Sequence, residues 1–180
     1  MLRATTSVHR IRLMAASTNL FWLDAEMTGL NYQGKDQIME IACLVTDDKL
    51  NIIHEGPEMI FNISETLLES MDEWCTKTHG ESGLTAKCKK STMTIEEGDQ
   101  IVSEFIKQYC PNAPLAGNSV HMDACFMRKE MPLSMNGLSY RIVDVSSVKE
   151  LCKRWYPNVY NDAPSKDSKV YSQFCQLQSC

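Results

Sequence analysis

Residues 20–30 read Leu20-Phe21-Trp22-Leu23-Asp24-Ala25-Glu26-Met27-Thr28-Gly29-Leu30. Four apolar residues run into two carboxylates, and a Thr-Gly pair stops the run. The apolar start and the glycine-marked end predict a buried strand. Side chains alternate across a strand, so Asp24 and Glu26 fall on one face. Two carboxylates so placed repel each other unless a cation sits between them. An oxygen-only donor set favours Mg²⁺ or Mn²⁺ over zinc.

The rest of the chain limits what such a site can serve. A length of 180 residues suits one globular domain with a sizeable core. No apolar run approaches the length of a membrane span, so no membrane partner is expected. The net charge of −5 argues against long-range attraction to nucleic acid. An enzyme of this charge acting on nucleic acid needs local contacts, a bridging metal or a small substrate. The eight cysteines form no paired Cys-x-x-Cys zinc pattern, and no secretory signal is visible. They read as free thiols in a reducing compartment. Residues 1–19 carry Arg3, Arg10 and Arg12 among Ser and Thr, with no acid before Asp24. That composition predicts a mitochondrial transit peptide. Met14 offers a second start, giving an untargeted cytosolic or nuclear form.

Outward from the first strand, Gln37 to Thr46 predicts a buried strand with Glu40 as its one charge. Asp47-Asp48-Lys49 is a turn. Leu50–Glu55 and Met59–Ile63 predict one or two more strands, interrupted by Gly56-Pro57. Together they suggest an antiparallel meander. Ser64 to His79 predicts a helix turning irregular before Gly80, with Leu67, Leu68, Met71 and Trp74 on one apolar face. Thr94-Ile95-Glu96-Glu97 is a capping box that opens a helix to Tyr109. Ile101, Val102, Phe105, Ile106 and Tyr109 mark its expected buried face. Pro114–Val120 predicts a strand, Met122–Met131 a helix stopped by Pro132, and Tyr140–Val145 a strand. Ser146 is the expected cap of a last helix to Tyr156. Strands followed by helix–strand alternation, without repeat or interior linker, predict a single mixed α/β domain.

Three further clusters carry chemistry. Gly117-Asn118-Ser119-Val120-His121-Met122-Asp123 places an acid and a hydroxyl where a strand passes into a helix. Met71-Asp72-Glu73-Trp74-Cys75-Thr76-Lys77-Thr78-His79 offers an aromatic ring and an imidazole. Tyr140-Arg141-Ile142-Val143-Asp144-Val145-Ser146 offers an arginine, whose fork suits phosphate oxygens.

Together with these clusters, Asp24-x-Glu26-Met27-Thr28-Gly29-Leu30 resembles the first motif of the oligoribonucleases. These are 3′-to-5′ exoribonucleases of the DEDD superfamily that finish off very short RNA. The resemblance runs from about Leu20 to about Lys169. It implies a ribonuclease-H-like α/β fold, a mixed sheet flanked by helices. It implies that Asp24, Glu26 and Asp123 hold two Mg²⁺ or Mn²⁺ ions for two-metal hydrolysis of short oligoribonucleotides, especially dinucleotides. It implies that Leu30 wedges against one base, Trp74 stacks on the other, and His79 lies near the terminal phosphate. It implies that Ser119, Tyr140, Arg141 and Ser146 surround the 5′ phosphate, with Tyr140–Ser146 reaching across a homodimer. Such a cap limits substrate length, because a longer chain collides with it. His121 does not fall where the family keeps a base, and it reads as incidental.

The resemblance fails toward the C-terminus. A complete family site adds a general-base histidine and a fourth aspartate from a His-x-x-Leu-Asp motif. Here Ala163-Pro164-Ser165-Lys166-Asp167-Ser168-Lys169 leads instead into Val170-Tyr171-Ser172-Gln173-Phe174-Cys175-Gln176 and four further residues. The expectation is an incomplete exonuclease domain over 20–169, truncated at its C-terminal end, with a divergent tail over 170–180. Phe174 and Leu177 would cover little of the core a lost helix leaves open. Three activities follow as alternatives. One is an exoribonuclease for dinucleotides, weakened by the missing groups. Another is a catalytically silent isoform that binds substrate or pairs with a full-length subunit. The third is an exonuclease for longer RNA or DNA ends, which the Tyr140-Arg141 cap argues against.

Overall fold

The apolar run at 20–30 forms β1 (Leu20–Met27), and the next two runs form β2 (Ile38–Thr46) and β3 (Ile52–Ile60). These come from a computed structural model that describes residues 18–162. All but the last two residues of the expected targeting segment, Met14 included, lie outside the described residues. So do the approach to Lys169 and the divergent tail.

β1 pairs antiparallel with β2, and β2 pairs antiparallel with β3, which is the expected meander. β3 is one strand rather than two. It runs through Gly56-Pro57 because it lies at the sheet edge, where a proline withdraws no ladder hydrogen bond from a neighbour. Register shifts against β2 near Ala42–Leu44 and Val45–Thr46 absorb the irregularity.

The helices depart from expectation in instructive ways. Ser64 caps α1 (Glu65–Glu69), and Asp72 caps a separate α2 (Glu73–Glu81) by accepting from the Cys75 amide. α3 (Leu84–Lys90) follows, where no helix was expected. Two caps eight residues apart split one apolar stripe into short helices. α4 (Ile95–Tyr109) opens on the expected capping box at Thr94 and Glu97. Its buried face is rotated from the predicted one. Val102 and Ile106 are buried with Asp99 and Ser103, while Ile101 is exposed.

β4 (Leu115–Gly117) is shorter than predicted and pairs parallel with β1. α5 (His121–Glu130) ends before Pro132, and the proline then opens α6 (Pro132–Gly137). A proline is tolerated in the first turn, where its missing N–H is not needed. Asp99 accepts the Leu133 and Ser134 amides at 2.9 and 2.8 Å, so α4 caps α6. β5 (Ile142–Asp144) pairs parallel with β4. The cap of α7 (Val145–Trp155) is Asp144, not Ser146, which lies inside the first turn. α8 (Pro157–Asp162) follows.

The sheet order is β3–β2–β1–β4–β5, mixed, with helices against it. This is the mixed α/β arrangement that the sequence pattern predicts and the ribonuclease-H-like fold that the family resemblance implies. β2 is buried at every position, and Phe21, Leu23, Ile41, Ile106, Phe126 and Met127 form the centre of the core. Each such side chain contributes about 1.5–3 kcal/mol relative to exposure. No described helix is long and apolar enough to cross a membrane.

Candidate active site

β1, β4 and β5 are parallel, and their C-terminal ends lie side by side at the centre and edge of the sheet. In open α/β sheets this is where ligands bind. Asp24 and Glu26 stand near that end of β1, both half-buried. Asp123 enters from the first turn of α5 and is almost wholly buried. Its Oδ1 accepts the Ala25 amide at 3.0 Å. β4 can approach β1 closely because residue 117 is glycine. A Cβ there would lie 2.6 Å from the Leu23 carbonyl oxygen.

Burial and the Asp24 charge push the Glu26 carboxyl up to about 7. Burial, Asp24 and Glu26 likewise push Asp123 up to about 7, against the pull of backbone amides including that of Ala25. The three acids thus feel one another. Glu40 on β2 pairs in register with Glu26, so it shares that face of the sheet, and it is buried. The sequence marked Glu40 only as a lone charge. Its partnership with Glu26 becomes visible once the β1–β2 register is known.

The acids fit a hard divalent cation by chemistry: all donors are oxygens, and the Asp24 charge raises the proton affinity of both Glu26 and Asp123. Among the described residues, however, no group of three or more His, Cys, Asp or Glu side chains is arranged so as to hold a metal ion.

Leu30 and Trp74 are both exposed, at 69% and 68%, so neither belongs to the core. The loop that carries Leu30 is pinned by Asp36, which accepts from the Asn31 amide at 2.9 Å and from the Thr28 hydroxyl. Gly29 lies against that carboxylate; a Cβ there would stand 2.4 Å from Asp36 Oδ2. His79 is buried. Its Nε2 lies 3.0 Å from the Met27 carbonyl oxygen, and since a carbonyl only accepts, Nε2 carries the proton. This bond holds α2 to the end of β1. The Trp74 ring packs edge-on against it, 6.5 Å between centroids.

Ser119 and Ser146 meet. Their hydroxyl oxygens are 3.0 Å apart within one chain. Ser119 adopts a left-handed backbone, φ 53°. His121 Nδ1 lies 2.9 Å from Asp144 Oδ2, so His121 and Asp144 are structural partners that the sequence reading passed over. No spacing rule links positions 121 and 144; the β4–β5 pairing does. Tyr140 and Arg141 are exposed at the entry to β5 and contact each other, Nε to OH 3.2 Å, with the guanidinium 5.5 Å from the ring centre. They are not joined to the serine pair by any described hydrogen bond.

Comparison with known proteins places the chain in a family. The RNase T family, described as exonuclease, matches residues 21–169. The chain is 52% identical over 149 residues to the mitochondrial oligoribonucleases of Bos taurus and Homo sapiens, covering 82% of this chain and 62% of each relative. It thus spans less than two thirds of their length. It is 44% identical over 159 residues to the oligoribonuclease of Hydrogenovibrio crunogenus, covering 87% of this chain and 86% of that one. Among solved structures it resembles E. coli exonuclease I in complex with an oligonucleotide. The TM-score is 0.63 at 14% identity, over 90% of this chain and 36% of that one. That likeness is one of fold.

Proposed function

The chain belongs to the RNase T exonuclease family, and on that premise we propose that it hydrolyses dinucleotides and other short oligoribonucleotides from their 3′ ends to 5′-mononucleotides. The observation that carries this reading is the cluster of Asp24, Glu26 and Asp123, two of them pushed up to about 7 by burial and mutual repulsion. Asp24, Glu26 and Asp123 would hold Mg²⁺ or Mn²⁺, two per site. Such ions supply an activated water and charge stabilisation at the leaving oxygen.

The chain's own groups do the rest. Asp123 is fixed to the Ala25 amide, so the acids keep their spacing. Exposed Leu30 and Trp74 offer apolar faces to two bases, and stacking of this kind tolerates any base. His79 props Trp74 and the end of β1. Ser119, Ser146, Tyr140 and Arg141 receive the 5′ phosphate, which favours the shortest substrates. α7 buries none of its residues, which supports a homodimer through this edge. Its likeness to the mitochondrial oligoribonucleases of Bos taurus and Homo sapiens supports a mitochondrial location.

Turnover of a 5′-labelled dinucleotide with Mn²⁺ tests the reading. Mononucleotide release that disappears in Asp24→Asn is the expected result. Binding without release would favour a silent, substrate-holding form. Equal turnover of dinucleotides and long RNA would remove the phosphate cap from the account.

A further inference from the structure

Asp144 serves four donors from two segments. Its Oδ1 accepts the Ser146 amide at 2.9 Å, the Ser119 amide at 3.1 Å and the Ser147 amide at 3.3 Å. Its Oδ2 faces His121 Nδ1 at 2.9 Å. A carboxylate only accepts, so Nδ1 carries the imidazole proton. Asp144 is the last residue of β5 and pairs in register with Gly117, so it sits beside the turn that leads into α5. Ser119, in that turn, holds a left-handed backbone that non-glycine residues seldom adopt. The hydrogen bond that its backbone N–H donates to Asp144 keeps it there.

This arrangement decides which groups face an incoming anion. The first amides of α7 would ordinarily attract a phosphate. Here Asp144 already occupies them. What remains are the Ser119 and Ser146 hydroxyls, 3.0 Å apart. One donates to the other, so the second keeps its proton for an outside acceptor. A bare carboxylate beside a phosphate would repel it. Four N–H donors spread that charge: burial alone would raise the Asp144 pKa, but the bonds from His121, Ser147, Ser146 and Ser119 bring it below the usual carboxylate range. An open cleft of about 480 Å³ lies alongside, lined on its polar side by His121, Asp144, Ser146, Ser147 and the paired Glu150 and Arg154.

We propose that Asp144, braced by His121, is a positioning residue that presents the Ser119 and Ser146 hydroxyls to the 5′ phosphate of the substrate. This rests on the reading of those two serines given above.

The test is calorimetric binding of a non-cleavable dinucleotide, its leaving oxygen replaced by methylene, with and without a 5′ phosphate. The parent chain, Asp144→Ala, Asp144→Asn and Ser119→Ala are compared. The parent is expected to prefer the phosphorylated ligand. Asp144→Ala should lose that preference by about tenfold while binding the unphosphorylated ligand nearly as before, the scale of one charge-assisted hydrogen bond. Asparagine caps a helix about as well as aspartate, so Asp144→Asn should fold and keep most of the preference. Its amide nitrogen would turn a donor toward His121, and the ¹⁵N spectrum of that ring should then report the opposite tautomer. A preference undiminished in Asp144→Ala overturns the positioning role alone. Equal losses for both ligands also overturn it, since they mark a general structural defect. A parent chain without any preference, matched by Ser119→Ala, defeats the serine reading and the inference with it.

Discussion

The backbone amide of Ala25 donates to Asp123 Oδ1 at 3.0 Å, across 98 positions of sequence. This bond ties the strand that carries Asp24 and Glu26 to the helix that carries Asp123. It lowers the proton affinity of Asp123, while burial and the Asp24 charge raise it to about 7. The site therefore holds opposing electrostatic demands, and Asp24 lies at their centre because it acts on both other acids.

Asp24→Asn should for that reason have two effects of opposite sign. Without metal at neutral pH, removing the charge relieves Glu26 and Asp123, and the melting temperature should rise. With Mn²⁺, the stabilisation should vanish. A ligand at a hundredfold its Kd contributes about 2.7 kcal/mol, or on the order of 5–10 °C for a chain of this size. Differential scanning fluorimetry with and without Mn²⁺ measures both. An Asn variant that still gains the full Mn²⁺ shift would remove Asp24 from the metal site.

The same shifts fix a pH dependence. Glu26 and Asp123 have folded pKa values near 7, raised from 4.5 and 3.8. The native state then binds more protons than the unfolded chain between about pH 4 and 7, so stability falls as pH rises through that window. Below it both states are protonated and the penalty is absent. Glu130, also raised by burial, adds to the slope. Asp144 works the other way, since its lowered pKa contributes stability that is lost as pH falls through that value. Urea titrations of the metal-free protein from pH 4.5 to 8 should show the decline. Glu26→Gln should flatten it, leaving the Asp123 and Glu130 part. A flat profile in the parent would contradict the burial of these acids.

How much of this structure is legible in the sequence varies with the physics. β1, β2 and the capping box at Thr94 were legible because a local pattern fixes each: an apolar run, a turn, a cap and its reciprocal glutamate. The split between α1 and α2 is not legible in the sequence, because Asp72 looks like any acid until its carboxylate is placed on the Cys75 amide. Pro132 is a stop for α5, as its sequence position predicts, but the acceptor that lets it open α6 is Asp99, far off in sequence. Asp24 and Glu26 followed from strand alternation. Glu40, Asp144 and His121 did not, since their partners depend on strand register and not on spacing.

Trp74 tests whether exposure means use. A buried Trp→Ala change costs about 3–5 kcal/mol. Trp74 is exposed, so Trp74→Ala should change unfolding free energy by no more than about 0.5 kcal/mol, as at most surface positions. Stacking contributes about 1–3 kcal/mol per base, so dinucleotide affinity should fall by about five- to 150-fold. Leu30→Ala should behave alike. Chemical denaturation and calorimetric binding, run on the same preparations, separate the two effects. A large stability loss with unchanged affinity would return both residues to a packing role.

The last prediction concerns the edge of the sheet. α7 places Val148, Leu151, Cys152 and Trp155 at helical spacing on one stripe. Val148, Leu151 and Trp155 are exposed, as is Ile142 on the neighbouring β5. An apolar stripe of this kind marks an interaction surface or an aggregation hazard. β5 and α7 are continuous with Tyr140, Arg141 and Ser146, so a second copy seated here would bring its own Tyr140–Ser146 segment alongside. Two-fold pairing puts the same patch on both sides, which lets one apolar surface cover the other. Leu151→Asp places a charge on each side of that contact. It should convert a dimer to a monomer in sedimentation equilibrium, with little change in far-UV circular dichroism. It should also weaken 5′-phosphorylated dinucleotide binding more than binding of the unphosphorylated ligand, if the partner's Arg141 serves the site. A parent chain that sediments as a monomer, or a Leu151→Asp variant that remains dimeric, would show that something other than a second copy covers this stripe.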